Sequence, residues 1–176
     1  MGIMPPVARL LVREHLRKPL TGEFLIVGRQ TMSMSFEEAK KLVLEEGAPL
    51  RDIEPVFDND TRGAKGKKFI TEKTFFSLFA DVNITTLDVT DYENAEIVHD
   101  LQHPIPKELE GKFDVVWNGS CLDNIWNASG ALINSCALLS KVGGRILIME
   151  MQNLHFKAYS MFPMGWFFDY FAINKF

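Results

Sequence analysis

The feature that most constrains the fold is a continuous apolar run, Phe24 to Val27, which stops at Gly28. A strand that is apolar at every position is typical of a parallel sheet covered on both faces, because a strand with one wet face alternates. Ser35 then stands three residues before Glu38. This is the spacing of a capping box, in which both side chains accept hydrogen bonds from backbone N–H groups that a helix start leaves free. The stretch therefore predicts a strand, a loop and a helix that begins near Phe36.

The alternation of strand and helix continues along the chain. Further apolar runs, each followed by polar or small residues, predict strands over 84–87, 96–99, 113–117 and 145–149. A helical pattern lies between the last two, and Gly143 with Gly144 separates it from the final strand. Such alternation implies right-handed crossovers, so we expect an α/β fold built on a parallel sheet.

Length and composition predict a single domain, 1–176, because 176 residues with 47% hydrophobic and 24% charged content are typical of one globular unit. Within it we expect a leading helix at 1–19, a flap-like loop at 48–70 and an aromatic segment at 152–176. The loop is rich in proline, glycine and acidic turn formers. The aromatic segment either faces a substrate or packs Phe167, Phe168 and Phe171 against the sheet.

Net charge, hydropathy and the placement of the cysteines give no reason to expect a nucleic-acid partner, a membrane partner or a metal site. The net charge of -4 gives no overall reason to expect a nucleic-acid partner. No apolar stretch approaches the roughly 20 residues that span a bilayer, so no membrane partner is expected. Cys121 and Cys136 have no metal-ligand spacing with the histidines, so no metal site is expected, and reduced thiols favour a cytoplasmic location.

Polar or small residues follow the predicted strands where each one ends. Gly28 follows the first strand, Asp88 the second and Asp100 the third. Asn118 and Gly119 follow the fourth. Because parallel strands bring their carboxyl ends to one edge of the sheet, these residues should lie close together. A carboxylate there can accept both ribose hydroxyls, and a second acid can accept an adenine amino proton, so the order of these residues predicts a nucleoside site.

The order of these strand-end residues along the chain resembles that of the class I S-adenosylmethionine-dependent methyltransferases. The resemblance extends from about Leu10 onward. The matching segments are FLIVGRQT, TTLDVTD, IVHDLQHPIP, KFDVVWNGSCLDNI and LLSKVGGRILIME, of which the last is the most specific. The resemblance implies a three-layer Rossmann-like parallel sheet with strand order 3-2-1-4-5. It also implies S-adenosyl-L-methionine as cofactor and transfer of a methyl group to an acceptor, which we expect to be a small molecule.

The same resemblance implies roles for individual residues. Gly28 would face the methionine part of the cofactor, Asp88 would hold the ribose, and Asp100 would border the adenine. The full set of cofactor-binding residues is expected to be Gly28, Arg29, Gln30, Asp88, Val89, Asp100, Leu101, Asn118, Gly119 and Leu122. Asp123 and Asn124 are expected to contact the acceptor, and no catalytic base is assigned.

The glycine loop departs from the family pattern, which has an acid before the loop and three spaced glycines. Here Ile26, Arg29, Gln30 and Met32 stand at the corresponding places, and only Gly28 remains. The side chain of Gln30 could fill the space that the carboxypropyl group of the cofactor needs. Either the loop takes a different course, with Arg29 near the carboxylate, or the pocket is impaired.

A second departure follows the fifth strand, where the family has an antiparallel hairpin that is expected to be missing here. Strand 145–149 would then lie at the edge of the sheet, and an apolar edge pairs readily with another chain. We expect a homodimer through this edge or through the aromatic surface beside it. The alternative is that the sequence is a fragment of a longer gene product.

Two other functions stay open at this stage. A non-catalytic, methyltransferase-like binding or scaffold module is favoured by the altered glycine loop. A nicotinamide-dependent oxidoreductase is the weaker alternative, because dinucleotide phosphates need the close backbone approach that several glycines provide.

Overall fold

The computed structural model describes residues 2–140, 143–152 and 158–176. In these ranges the strands are β1 (Gly2–Ile3), β2 (Thr21–Val27), β3 (Thr31–Met32), β4 (Asp81–Asp88), β5 (Ile97–Val98), β6 (Val115–Gly119) and β7 (Arg145–Met149). The α-helices are α1 (Pro5–Arg17), α2 (Phe36–Glu45), α3 (Glu72–Ser77), α4 (Ala128–Ala137) and α5 (Met164–Ile173). Short 3-10 helices lie at Arg62–Ala64, Lys107–Leu109 and Leu122–Asn124.

Five strands form one parallel sheet in the order β5-β4-β2-β6-β7. This numbering differs from the expected 3-2-1-4-5, because β1 and β3 pair with each other outside this sheet. A strand of two residues has no periodic pattern, so the sequence did not predict either of them. Within the sheet, the chain adds β4 and β5 on one side of β2 and later adds β6 and β7 on the other. The direction of growth therefore reverses between β2 and β6.

Helices cover both faces of the sheet, as the uninterrupted apolar run in β2 predicted. Phe24 and Ile26 pack in a core cluster with residues of α1, α2 and α3. Leu25 and Val27 pack on the opposite face in a cluster with residues of α4 and α5. The result is a three-layer α/β arrangement in which the central strand is buried on both sides.

The capping box at the start of α2 is confirmed. The backbone N–H of Glu38 donates to Oγ of Ser35 over 3.4 Å, and the backbone N–H of Ser35 donates to Oε2 of Glu38 over 2.8 Å. These two bonds satisfy donors that the first turn of a helix leaves free. They fix where α2 begins, at Phe36, and so fix the length of the loop after β2.

Residues 48–70 form an irregular excursion that internal hydrogen bonds hold together. Phe57 and Ile70 pair as an antiparallel bridge, which closes the second half of the excursion into a loop. Between them the buried carboxylate of Asp58 accepts hydrogen bonds from the backbone N–H groups of Asp60 and Thr61. Buried hydrogen bonds of this kind hold an irregular segment in one conformation.

The aromatic segment forms α5, which packs against the same core cluster as α4. Trp166, Phe167 and Phe171 contact this cluster. The expectation that Phe168 packs inward is wrong, because 71% of this residue is exposed. Residues 153–157 of the predicted segment lie outside the described residues. In the described part of the chain, no antiparallel strand joins the sheet, and none of the helices is both long and apolar enough to cross a membrane.

Candidate functional site

A cavity of about 250 Å³ lies at the carboxyl ends of β2, β4 and β5, beside the loop that follows β6. Its position is where open α/β sheets bind ligands, in the crevice outside the strand ends and next to the point where strand order reverses. The lining residues are Val27, Gly28, Leu87, Asp88, Val89, His99, Asp100, Leu101, Gln102, Cys121, Asn124 and Ile125.

Gly28 turns the chain out of β2 at one side of this cavity. Its φ is +71°, a left-handed conformation that strains residues with a Cβ atom. The backbone N–H of Gly28 donates to the carbonyl oxygen of Leu87 over 2.7 Å, which ties the turn to the neighbouring strand β4. The turn therefore leaves the wall of the cavity beside Gly28 without a side chain.

Asp88 ends β4 and is oriented by two backbone donors. Its Oδ2 accepts a hydrogen bond from the N–H of Arg29 over 3.1 Å, and its Oδ1 accepts one from the N–H of Val89 over 2.7 Å. A carboxylate has roughly four acceptor positions, so each oxygen of Asp88 can accept another donor from the cavity. This arrangement suits a pair of neighbouring hydroxyl groups.

Asp100 and Leu101 form the opposite wall. The carboxylate of Asp100 accepts hydrogen bonds from the backbone N–H and the side-chain amide of Gln102, and the backbone bond contributes most to lowering the pKa of Asp100. Leu101 is buried beside it, and Ile125 closes the cavity from the loop after β6. One wall is thus apolar and carries a fixed anion at its edge, an arrangement that can pack against an apolar ring and accept a proton from an amino group on it.

Sequence reasoning placed only part of the lining. Six predicted residues line the cavity, namely Gly28, Asp88, Val89, Asp100, Leu101 and Asn124. Six others do not, namely Arg29, Gln30, Asn118, Gly119, Leu122 and Asp123. The lining residues that the sequence did not identify are Val27, Leu87, His99, Gln102, Cys121 and Ile125. All six directly neighbour a predicted residue in the chain, and three of them, Val27, Leu87 and His99, stand beside a strand-end glycine or acid.

Gln30 occupies the crevice between the ends of β2 and β6. Its side chain is buried, and 2% of the residue is exposed. Nε2 donates to the carbonyl oxygen of Gly28 over 3.3 Å, while Oε1 lies 2.8 Å from the position that a Cβ atom on Gly119 would occupy. The amide of Gln30 therefore fills the crevice between the two strand ends.

Arg29 points its guanidinium away from the small cavity. Nε donates to Oε1 of Glu72 over 2.7 Å, and the outer nitrogen Nη1 donates to the carbonyl oxygens of Glu93 and Asn94. Arg29 and Glu72 line a separate cavity of about 470 Å³ next to α3. The guanidinium of Arg29 is therefore bonded within the protein.

The loop after β6 is organised around two acids. The carboxylate of Glu150, at the end of β7, accepts hydrogen bonds from the backbone N–H groups of Cys121, Leu122 and Asp123. Burial raises the pKa of Glu150 to about 7, against the lowering effect of these bonds. Asp123 is itself buried and accepts a hydrogen bond from Oγ of Ser120 over 2.6 Å. Asp123 therefore supports the loop, and Asn124 is the exposed member of the pair predicted to contact an acceptor.

Cys121 does not have the properties of a nucleophile. Burial, followed by the charges of Asp88 and Glu150, raises the pKa of its thiol to about 12. The thiolate is the reactive form, and at neutral pH this site holds the thiol. Among the described residues, no group of three or more histidine, cysteine or acidic side chains is arranged to hold a metal ion.

Comparisons with known proteins give little further information. No protein-family model and no curated protein matches the chain. Among solved structures, it is similar to the trans-methyltransferase CalH in complex with SAH, with 17% sequence identity and a TM-score of 0.33. The match covers 77% of this chain but only 33% of that protein, so this chain spans about a third of its length. A likeness of this degree carries no functional argument.

Proposed function

We propose that this protein binds an adenosyl nucleoside in the cavity at the ends of β2, β4 and β5. The cofactor we expect is S-adenosyl-L-methionine, and the reaction is transfer of its methyl group to a small-molecule acceptor. The single observation that carries the proposal is the carboxylate of Asp88. It is fixed by two backbone N–H groups at the end of the strand next to β2, and it lines the cavity with acceptor positions left over.

The dimensions and chemistry of the cavity support the nucleoside half of this proposal. Its volume of about 250 Å³ falls below the roughly 300–1,000 Å³ of pockets that enclose whole drug-sized ligands, and suits a nucleoside better than a dinucleotide. Asp88 would accept the ribose hydroxyls, and the base would lie against Leu101 with its amino group towards Asp100. The small volume argues against a nicotinamide dinucleotide as the ligand.

In this proposal the amino-acid half of S-adenosyl-L-methionine would lie beside Gly28, where the buried amide of Gln30 stands. No chemical step is therefore assigned to a side chain. In a methyl transfer, binding and orientation of the acceptor supply much of the rate enhancement, and Asn124 is the exposed polar residue at the mouth of the cavity that we expect to contact it.

Gln30 also favours a second candidate, a non-catalytic module that binds adenosine or a related nucleoside. In that case the adenosyl site would operate alone, and the filled crevice would be its permanent state. The two candidates share the Asp88 site and differ in whether a methyl group is transferred.

Titration calorimetry with adenosine, S-adenosylmethionine, S-adenosylhomocysteine and NAD tests the proposal. We expect Asp88→Asn to weaken nucleoside binding by about tenfold to a hundredfold, the loss that corresponds to a charged hydrogen bond. Asp91→Asn is the matched control, because it removes the same charge from an exposed residue three positions away. Equal affinities in the wild type and Asp88→Asn would exclude Asp88 from the ligand site, and binding of NAD alone would contradict the proposal.

A further inference from the structure

The side-chain amide of Gln30 lies between Gly28 and Gly119, at the place where the order of strands in the sheet changes direction. Gly28 and Gly119 directly follow Val27 and Asn118, which are register partners in β2 and β6. A Cβ atom on Gly28 would lie 3.7 Å from Nε2 of Gln30, and one on Gly119 would lie 2.8 Å from its Oε1. The amide therefore spans the crevice from one strand end to the other, in the position where sheets of this topology admit a ligand.

The buried amide of Gln30 makes only part of the hydrogen bonds that it could make. Oε1 of Gln30 has no hydrogen-bond partner within the described residues, and neither does Nε1 of Trp117. The two atoms lie 2.8 and 2.9 Å from one point, the Cβ position of Gly119, and yet they do not bond to each other. Buried polar groups are normally paired, so an unpaired acceptor and an unpaired donor together indicate a place for a further polar group.

The crevice adjoins the nucleoside cavity at Asp88. The Cβ position of Gly28 lies 3.9 Å from Oδ2 of Asp88 and 3.7 Å from Nε2 of Gln30. A ribose held by Asp88, with its base against Leu101 and Asp100, would direct its 5′ substituent to the opposite side, towards Gly28. The side-chain atom nearest to the Cβ position of Gly28 is Nε2 of Gln30, at 3.7 Å, followed by Sγ of Cys121 at 3.8 Å.

We propose that the side chain of Gln30 is a displaceable plug that selects ligands by their 5′ substituent. This inference rests on the proposed nucleoside site. With the plug in place, the cavity accepts adenosine and other nucleosides with a short 5′ group. Nucleosides that carry an amino acid bind only when the side chain leaves, which breaks one hydrogen bond of 3.3 Å to the carbonyl oxygen of Gly28. Displacement would give the N–H of Trp117 access to a ligand carboxylate, which is a better acceptor than an amide.

Calorimetry on the wild type and two variants tests this proposal. In the wild type we expect the affinity for adenosine to be at least about tenfold higher than the affinity for S-adenosylhomocysteine. The reason is that S-adenosylhomocysteine must displace the amide of Gln30 and adenosine need not. Gln30→Ala should raise the affinity for S-adenosylhomocysteine by about tenfold and leave adenosine unchanged. Gln30→Met is the matched control, since it keeps a side chain of similar length in the crevice and should retain the wild-type preference.

The outcomes separate this inference from the proposed function. Equal binding of the two nucleosides to the wild type, with no gain in Gln30→Ala, would overturn the plug and leave the nucleoside site intact. If Gln30→Ala does not fold, the inference is still tested by whether the wild type and Gln30→Met both bind adenosine more tightly than S-adenosylhomocysteine. Failure of every nucleoside to bind any of the three proteins would overturn the proposed function, and the plug with it.

Discussion

Arg29 and Glu72 form a buried ion pair, in which Nε donates to Oε1 over 2.7 Å while only 7% and 1% of the two side chains are exposed. The pair joins the loop after β2 to the start of α3. Burial is the largest influence on Glu72 and raises its pKa, while the guanidinium of Arg29 opposes that shift. A buried carboxylate depends on such a partner, because desolvation without compensation is costly.

We therefore expect Arg29→Ala to destabilise the protein by about 3–5 kcal/mol, the cost of leaving one buried charge unpaired. Lys73→Ala is the control. Lys73 belongs to the same helix and pairs with Glu96 over 2.6 Å, but both side chains are more than 40% exposed, so the loss should be about 0–1 kcal/mol. Urea unfolding of both variants measures the difference, and equal losses would contradict the prediction.

The ion pair illustrates the limit of sequence reasoning for this chain. The strands at β2 and β7 were predictable because each is a local apolar run that ends at a glycine or an acid. Arg29 and Glu72 are 43 positions apart, and no spacing links them. One of two alternatives drawn from the glycine loop placed Arg29 near a ligand carboxylate, and in the structure its guanidinium is bonded to the carboxylate of Glu72.

Gly28 provides a second prediction, because its backbone conformation and its place at the cavity have separable effects. Gly28→Ala should cost about 1–2 kcal/mol through its φ of +71°. The added methyl group would lie 3.7–3.9 Å from its nearest neighbours, so it fits without a clash. The same methyl group narrows the cavity, and nucleoside affinity should fall.

Gly47→Ala is the matched control for this experiment. Gly47 has a φ of +84°, and no atom lies within 4 Å of the position its Cβ would take. We expect a similar loss of stability with unchanged nucleoside binding. Thermal unfolding and calorimetry on both variants give the comparison. A parallel loss of affinity in Gly47→Ala would show that strain alone, and not the position of Gly28, weakens binding.

The loop after β6 shows why the sequence could not tell which of two adjacent residues faces the cavity. Asp123 and Asn124 are adjacent in sequence, and no local pattern distinguishes them. Asp123 turns inward because Ser120, which has a φ of +65°, bends the chain and donates to its carboxylate. The partner that organises the loop, Glu150, comes from the end of another strand. Such contacts depend on the assembled sheet and cannot be read from the loop alone.

Glu150 predicts how stability depends on pH. Its pKa is about 7 in the folded protein and 4.5 as an ordinary carboxyl. The folded state therefore binds more protons than the unfolded state between these values, and stability falls as pH rises from about 4.5 to about 7. Thermal unfolding across this range should show a decline in midpoint that is smaller in Glu150→Gln, and the part that remains is expected from Glu72, whose pKa burial also raises. Glu54→Gln, at an exposed position, should keep the wild-type decline, and a decline of undiminished size in Glu150→Gln would contradict the prediction for Glu150.

The last prediction concerns the outer edge of the sheet. The N–H of Arg145 donates to Asp114, and the carbonyl oxygen of Met149 accepts from Ser120, so alternate residues of β7 direct their backbone groups towards β6. Ile146 and Ile148 therefore direct theirs outward, where no described residue forms a strand beside them. An apolar edge of this kind pairs readily with another chain.

We predict a homodimer formed through this edge, seen by light scattering as about twice the monomer mass of 20.0 kDa. Ile148→Pro should give a folded monomer, because proline removes an N–H that faces away from β6 and is tolerated on edge strands. The loss of the Ile148 side chain, which packs against a core cluster, should lower the stability of this monomer. Phe168→Ser tests the neighbouring aromatic surface, where this side chain is 71% exposed, and should leave the dimer intact. If Phe168→Ser dissociates the dimer and Ile148→Pro does not, the interface lies at α5 and not at the edge of β7. A wild-type protein that stays monomeric at high concentration would contradict self-association through either surface, because an unpaired edge strand and an exposed aromatic face both associate more strongly as concentration rises.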